Sequence, residues 1–128
     1  MSEENKRIVK EVNDAFARND MEGFLKYCAD DVVWHMAGDR TVSGRDNIRE
    51  WMQQMEGHGP PKFTVDEIIA EGDSAACRGE MTMAGPDGTE NNYSYCDVYN
   101  FSGGKITKLS AYVVQEKGAA EDQKSAGA

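Results

Sequence analysis

Short glycine-containing turns divide the second half of the chain into segments, and the spacing of these turns limits the possible folds more than any other feature of the sequence. Glu71-Gly72-Asp73 and Ser102-Gly103-Gly104 are the clearest of these turns. Between the turns, apolar and polar residues alternate, as they do in strands that bury one face. The predicted strands span residues 62–70, 74–83, 91–101 and 105–114. We therefore expect an antiparallel meander, one face of which other elements must cover.

The first half of the chain supplies apolar stripes that can cover such a sheet. Helical spacing of apolar residues occurs at 4–18, after Asp20 and after Ser43. Aspartate and serine are residue types that cap helix N-termini. Residues 31–37 alternate as a strand. The predicted order is α-α-β-α-β-β-β-β. We expect an α+β fold in which three N-terminal helices pack in a cone against a strongly curved, mostly antiparallel sheet, with a ligand pocket inside.

Length and charge narrow the class of protein. The chain has 128 residues and a formal net charge of -9. This length suits one domain, which we place at 1–117, because the composition of residues 118–128 is that of a flexible tail. An acidic chain repels phosphate backbones, so we expect no nucleic-acid partner. No apolar run reaches the roughly 18 residues of a membrane span, and the N-terminus lacks a signal-peptide pattern. We therefore expect a cytoplasmic protein with no membrane partner.

The cysteine and histidine residues do not form a metal-binding pattern. The three cysteines, Cys28, Cys77 and Cys96, are odd in number and show no C-x-x-C spacing. This argues against a disulfide framework and against a zinc site. The two histidines, His35 and His58, are far apart in the sequence. We therefore predict no metal.

The order of the elements, together with several short motifs, resembles one known superfamily. The motifs are Asn19-Asp20-Met21-Glu22-Gly23-Phe24, Ala29-Asp30-Asp31-Val32-Val33-Trp34-His35, Ser43-Gly44-Arg45-Asp46-Asn47-Ile48, Asp97-Val98-Tyr99-Asn100-Phe101 and Gly104-Lys105-Ile106. On these residues the chain resembles the nuclear transport factor 2-like superfamily, and within it the SnoaL-like polyketide cyclase and ketosteroid isomerase branch. The resemblance implies the cone-shaped fold and a homodimer. Enzymes, binding modules and dimerisation domains all occur on this fold.

Asp97 is the first candidate for a catalytic residue. It lies within a predicted strand, where aspartate is disfavoured, and alternation puts it on the same face as Tyr95 and Tyr99. Burial among aromatic rings would raise the pKa of its carboxyl, which could then donate to a carbonyl oxygen or transfer a proton. By resemblance, Asp97 matches the hydrogen-bond donor of ketosteroid isomerases and the acid/base of SnoaL-like cyclases. The structural alternative is an aspartate paired with Arg78 or with a tyrosine hydroxyl.

His35 is the second catalytic candidate, because an imidazole can act as a base or can orient an acid. The resemblance, however, puts Met36 where the isomerase base should lie. Alternation also puts His35 on the opposite strand face from Trp34 and Met36. The helix-one tyrosine of the isomerase site would fall at Val12. Other tyrosines that could supply the missing hydroxyl are Tyr27, Tyr93 and Tyr95.

Arg78 and Glu80 are two residues apart in a predicted strand and therefore share a face. The pair resembles part of the limonene epoxide hydrolase site, in which two carboxylates and an arginine activate water. The second aspartate of that site would fall at Ala111. A surface ion pair is therefore the favoured interpretation, and epoxide hydrolysis ranks below the other functions.

The favoured function is a SnoaL-like protein that binds a small apolar, carbonyl-bearing ligand and catalyses proton transfer, as in isomerisation or aldol-type cyclisation. Such chemistry needs no cofactor. Besides Asp97 and His35, the predicted pocket residues are Trp34, Met36, Trp51, Met55, Tyr95, Tyr99, Arg78 and Glu80. The alternative is a non-catalytic ligand-binding or dimerisation module, so whether the protein is an enzyme stays open at this point. Both interpretations predict a homodimer through the apolar outer sheet face, which carries Val33, Ala76, Cys96 and Val98.

Overall fold

In a computed structural model, the chain is described over residues 2–54, 62–84 and 88–116. The helices are α1 (Ser2–Ala17), α2 (Met21–Leu25) and α3 (Arg45–Gln54). The strands are β1 (Cys28–Met36), β2 (Thr41–Ser43), β3 (Lys62–Phe63), β4 (Glu67–Glu71), β5 (Ser74–Ala84), β6 (Glu90–Ser102) and β7 (Lys105–Gln115). These elements confirm the predicted α+β fold. Met55 and the tail predicted at 118–128 lie outside the described residues.

The described strands form one curved, unclosed sheet in the order β2-β1-β7-β6-β5-β3, and β4 also pairs with β5. The pairs within β5, β6 and β7 are antiparallel, as the turns between these segments predict. The pairing of β1 with β7 is parallel, which makes the sheet mixed. The short strand β2, which the sequence did not predict, pairs antiparallel with β1 at the edge of the sheet.

The segment predicted as one strand at 62–70 is instead two strands, β3 and β4. Between them the chain stays bonded to β5, because Thr64 N donates to the Glu80 carbonyl at 2.8 Å and Asp66 N donates to the Arg78 carbonyl at 2.8 Å. Gly79 permits this close approach, since a Cβ there would lie 2.1 Å from the Thr64 carbonyl oxygen. The absence of a side chain on β5 therefore shapes the neighbouring edge of the sheet.

Two predicted helix caps have different outcomes. Asp20 caps α2 as expected, because its carboxylate accepts a hydrogen bond from Gly23 N at 3.2 Å. Ser43 does not occupy the cap position of α3, since it is the last residue of β2. Gly44 follows with a φ of 91°, and its carbonyl accepts the helical bond from Ile48 N at 3.0 Å. Glycine suits this position because a positive φ strains other residues.

The three described helices pack on one face of the sheet, which we call the inner face, and none of them covers the opposite, outer face. The core between them includes the fully buried side chains of Val9, Val12, Phe24, Leu25, Ile48, Tyr99, Ile106 and Leu109. Close packing of α2 on α1 depends on Gly23, because a Cβ there would lie 2.7 Å from the Ala15 Cβ. Among the described helices, none has both the length and the apolar character needed to cross a membrane.

Candidate functional site

Two rows of side chains on the inner face define the candidate site. The first row consists of Cys77, Asp97, Ala111 and Met36, which are neighbours across the adjacent strands β5, β6, β7 and β1. The second row consists of Ala75, Tyr99, Leu109 and Trp34, which are neighbours across the same four strands. The sheet therefore brings predicted site residues from β1 and β6, which are far apart in the sequence, onto one surface under the helices.

The Asp97 carboxyl lies in an apolar and aromatic environment. Its register neighbours are Cys77 and Ala111, and the buried Tyr95 and Tyr99 flank it along β6. No described residue forms a hydrogen bond or an ion pair with this carboxyl. Burial raises the pKa of Asp97 to about 7, because desolvation disfavours the charged form. Asp97 is nevertheless not fully buried, since part of its surface is accessible to solvent.

The tyrosine hydroxyls near this site differ in their hydrogen bonding. Tyr95 Oη donates to the Thr64 carbonyl at 2.6 Å and is therefore engaged in holding the β3–β4 connection. Tyr27 Oη bonds to the Glu11 carboxylate, away from β6. Tyr99 Oη is buried and has no hydrogen-bond partner among the described residues. Burial, and then the nearby Asp97, raise the pKa of Tyr99 well above its ordinary value, so this hydroxyl stays protonated and can donate.

Asn13 on α1 is a site residue that the sequence analysis did not single out. It is buried, and its Nδ2 donates to the Val9 carbonyl at 2.8 Å and contacts Cys77 Sγ at 3.7 Å. The Asn13 amide also lies near Tyr99 Oη and slightly opposes the rise in its pKa, although the two groups do not reach hydrogen-bond geometry. Burial likewise raises the pKa of Cys77 to about 11, so Cys77 is a neutral thiol. Asn13 could have been found as an amide within the apolar stripe of the first helix.

An aromatic group packs around Trp34 at the other side of the inner face. The Trp34 ring lies 5.3 Å from Phe24, 5.3 Å from Trp51 and 6.0 Å from Phe16, measured between ring centroids. Both 5.3 Å contacts are edge-to-face, a preferred arrangement of aromatic pairs. Trp34 Nε1 is buried and, like Tyr99 Oη, has no hydrogen-bond partner in the described part of the chain.

His35 does not join Asp97. Its neighbours Trp34 and Met36 point to the inner face, so alternation along β1 directs His35 to the outer face. There His35 Nδ1 lies 2.9 Å from Thr41 Oγ1 on β2. The opposite orientation of His35 agrees with the alternation in the sequence.

Arg78 and Glu80 also lie on the outer face, away from Asp97. Arg78 Nε bonds to Glu67 Oε1 at 2.8 Å, so its ion-pair partner is on β4 and is neither Glu80 nor Asp97. Both residues border a shallow depression of about 310 Å³, together with Ser94, Cys96, Tyr112 and Val114. The depression is open to solvent on the side of the sheet opposite the Asp97 carboxyl.

The site offers acid–base chemistry with few groups. A carboxyl that titrates near neutral pH can both give and take a proton. The other positions of its row are Cys77, a neutral thiol, and Ala111 and Met36, which carry no titratable group. Within the described residues, no cluster of three or more histidine, cysteine, aspartate or glutamate side chains could hold a metal ion.

Comparison with known families identifies the chain. The SnoaL-like domain family matches residues 9–109. The chain belongs to the SnoaL-like domain family. This match confirms the resemblance that the sequence motifs indicate. A comparison with functionally curated proteins finds no significant match for this SnoaL-like chain.

Solved structures of the nuclear transport factor 2-like superfamily share the fold of the SnoaL-like chain. A protein of unknown function from Burkholderia pseudomallei K96243 is 23% identical, with a TM-score of 0.78 and 97% of each chain covered. A protein from Kribbella flavida DSM 17836, provisionally named a ketosteroid isomerase, is 18% identical with a TM-score of 0.77, covering 91% of this chain and 82% of that one. A provisionally named SnoaL-like polyketide cyclase from Jannaschia sp. CCS1 is 12% identical with a TM-score of 0.77, covering 88% and 86%. At these identities the comparisons show the fold alone.

Proposed function

We propose that this SnoaL-like protein binds a small, largely apolar, carbonyl-bearing molecule between the helices and the sheet and catalyses proton transfer next to the carbonyl group. The observation that carries the proposal is the Asp97 carboxyl, which has no partner among the described residues and whose pKa burial raises to about 7. A group with such a pKa is populated in both protonation states at neutral pH, as a general acid–base catalyst requires. The function suggested by the names of the Kribbella and Jannaschia proteins is compatible with this chemistry.

The reaction begins when the Asp97 carboxylate removes a proton from the carbon adjacent to the ligand carbonyl. The electron pair of the broken C–H bond moves onto the carbonyl oxygen and gives an enolate, and Asp97 becomes the neutral acid. In a ligand with a C=C bond next to the deprotonated carbon, the enolate extends over that bond, and the neutral acid returns the proton to the far carbon of the bond, which is an isomerisation. In an aldol-type cyclisation, the enolate carbon attacks a second carbonyl carbon instead, and the new alkoxide takes the proton.

Tyr99 is placed to assist Asp97 in this reaction. Its hydroxyl is protonated, buried and without a partner within the described residues, and Tyr99 lies two positions from Asp97 on the same face of β6. A neutral hydroxyl in a desolvated site can stabilise the negative charge that develops on the ligand oxygen. Helix α1 carries Val12 where ketosteroid isomerases carry a tyrosine. In this proposal Tyr99 supplies the missing hydroxyl.

The test is deuterium exchange of a simple ketone. The protein is added to 2-tetralone in D₂O, and loss of the proton signals next to the carbonyl is followed by NMR. We expect the wild type to accelerate exchange and Asp97→Asn to abolish the acceleration. Asp31→Asn, which changes an exposed aspartate on β1, is the matched control and should exchange at the wild-type rate. Exchange at the solvent rate with wild type, or full acceleration with Asp97→Asn, would overturn the proposal.

The second candidate function is a binding module without catalysis. The observation that favours it is the row around Asp97, in which Cys77 is a neutral thiol and Ala111 and Met36 have no titratable group, so the row offers no second acid or base that is active at neutral pH. A binding module would shift the NMR signals of 2-tetralone or of the protein without accelerating deuterium exchange. The same exchange experiment therefore separates the two functions.

We also propose that two copies pair through the outer face of the sheet. Ile69, Tyr112 and Val114 expose 58%, 47% and 66% of their surface there, next to the depression bordered by Cys96. These exposed apolar side chains share the outer face with the charged Arg78 and Glu80, and the pairing of two copies would remove them from water. The self-pairing of one sheet face would form a two-fold symmetric interface, which is the commonest arrangement of homodimers.

A further inference from the structure

We propose that the indole N–H of Trp34 is a second hydrogen-bond contact for the ligand, so that the ligand is an apolar carbonyl compound carrying another acceptor oxygen. Only two buried side-chain nitrogen or oxygen atoms in the described residues lack a partner, Trp34 Nε1 and Tyr99 Oη. Buried polar groups are almost always bonded, so each such atom calls for a physical explanation. Tyr99 lies next to Asp97 and is accounted for by the proposed function, on which this inference also rests. Trp34 is not.

The Trp34 ring is held in a fixed position. Phe24 and Trp51 pack on it edge-to-face at 5.3 Å, and Phe16 lies at 6.0 Å. A donor on a ring that its neighbours already immobilise loses little conformational freedom when it meets a ligand. The N–H is thus a preorganised contact, and its burial means that a ligand lacking an acceptor there leaves it unpaired.

Trp34 and Asp97 mark two separate points on the inner face. In the row of Trp34, Leu109 on β7 lies between it and Tyr99 on β6. Two strand spacings correspond to about 10 Å at the backbone. The residues between these points are apolar: Leu109, which is buried in the core, and Ala111 and Met36, which are partly exposed. A matching ligand has a reactive carbonyl at one end, an apolar body and an oxygen at the other end.

The competing use of the indole N–H is a contact with an aromatic face. The edge-to-face packing of Trp34 with Phe24 and Trp51, at interplanar angles of 73° and 71°, can direct an N–H at a ring. In that case the N–H is already engaged, and an added ligand oxygen gains nothing. The two possibilities predict different responses to the same probes.

The experiment compares 2-tetralone with hydroxy-2-tetralones substituted at each position of the aromatic ring. Dissociation constants are measured for the wild type, Trp34→Phe and Tyr112→Phe. We expect at least one hydroxylated probe to bind the wild type roughly ten-fold more tightly than 2-tetralone. Trp34→Phe should remove this advantage while leaving the affinity for 2-tetralone within about two-fold. Tyr112→Phe, which changes an exposed aromatic residue on the outer face, is the control and should keep the advantage.

A second measurement reads the N–H directly in the folded protein. The chain has two tryptophans, so a ¹⁵N-labelled sample gives two indole N–H signals, which the spectrum of Trp51→Phe assigns. We expect the Trp34 proton signal to move downfield with the favoured hydroxylated probe and not with 2-tetralone. A signal that stays unmoved at saturation, or an affinity advantage that survives in Trp34→Phe, would overturn the proposal.

These outcomes are distinguishable from failure of the proposed function. Deuterium exchange of 2-tetralone that depends on Asp97, with no advantage for any hydroxylated probe, overturns the Trp34 contact and leaves proton transfer intact. A Trp34-dependent advantage without exchange supports the contact and overturns catalysis. An absence of binding by every probe overturns both.

Discussion

Tyr95 and Tyr99, two residues apart on β6, differ in hydrogen bonding, and the difference predicts opposite effects on stability. Tyr95→Phe removes a 2.6 Å bond to the Thr64 carbonyl, so we expect the free energy of unfolding to fall by about 1–2 kcal/mol. Tyr99→Phe removes a buried hydroxyl that has no partner in the described structure, so stability should be unchanged or rise by up to about 1 kcal/mol. Urea denaturation measures both. A larger loss in Tyr99→Phe than in Tyr95→Phe would contradict this account of the two hydroxyls.

Asp97 makes stability depend on pH in a defined direction. Its pKa rises from 3.8 to about 7 on folding, so between these values the folded state binds a proton that the unfolded state does not. Stability therefore falls as pH rises from about 4 to 7, by on the order of 3 kcal/mol. We expect Asp97→Asn to flatten this part of the profile and to be the more stable protein at pH 8. Thermal melting of both proteins across this range checks the prediction. Parallel profiles would contradict it.

Sequence reasoning succeeds at single residues where the strand pattern alone carries the signal. The position of Asp97 on the inner face and of His35 on the opposite face of β1 follows from alternation. That the Tyr99 hydroxyl and the Trp34 N–H have no partner among the described residues could not be predicted, because hydrogen-bond partners come from distant segments of the chain. Asn13 carries a signal that can be read from sequence, since an amide in an apolar helical stripe must find a partner when it is buried.

At the scale of elements, local patterns predict the helices and the meander, and non-local contacts account for the differences. The parallel pairing of β1 with β7 joins segments about as far apart as the chain allows, and no local pattern encodes such a pairing. The break between β3 and β4 arises because Gly79 on β5 admits the Thr64 carbonyl. A glycine inside an alternating strand is a sequence signal for this kind of close approach.

Gly79→Ala tests the role of this glycine in the sheet edge. The added Cβ would lie 2.1 Å from the Thr64 carbonyl oxygen and 3.0 Å from Tyr95 Oη. We expect a loss of about 3 kcal/mol or more in the free energy of unfolding. Gly38→Ala is the control, because that residue has a φ of 78° and no neighbour within 4 Å, and it should lose only about 1 kcal/mol. Similar losses in the two variants, measured by chemical denaturation, would show that the contact with Thr64 is unimportant.

At the scale of the whole molecule, we predict a homodimer from the exposed apolar side chains of the outer face. Val113 and Val114 are neighbours on β7 that point to opposite faces, and they expose 45% and 66% of their surface. We expect the wild type to sediment as a dimer at micromolar concentration and Val114→Asp to shift it toward the monomer by placing a charge in the outer face. Val113→Asp is the matched control and should leave the dimer intact. A monomeric wild type, or equal effects of both variants, would contradict the proposed interface.

The central claim is that Asp97 is a desolvated acid poised between the helices and the sheet. Carbon-detected NMR titration of the side-chain carboxyl, assigned by comparison with Asp97→Asn, measures its pKa directly. We expect a value of about 7 for the protein without ligand. A value near the ~3.9 of an unperturbed aspartate would mean a solvated carboxylate. It would remove the basis for proton transfer in this protein.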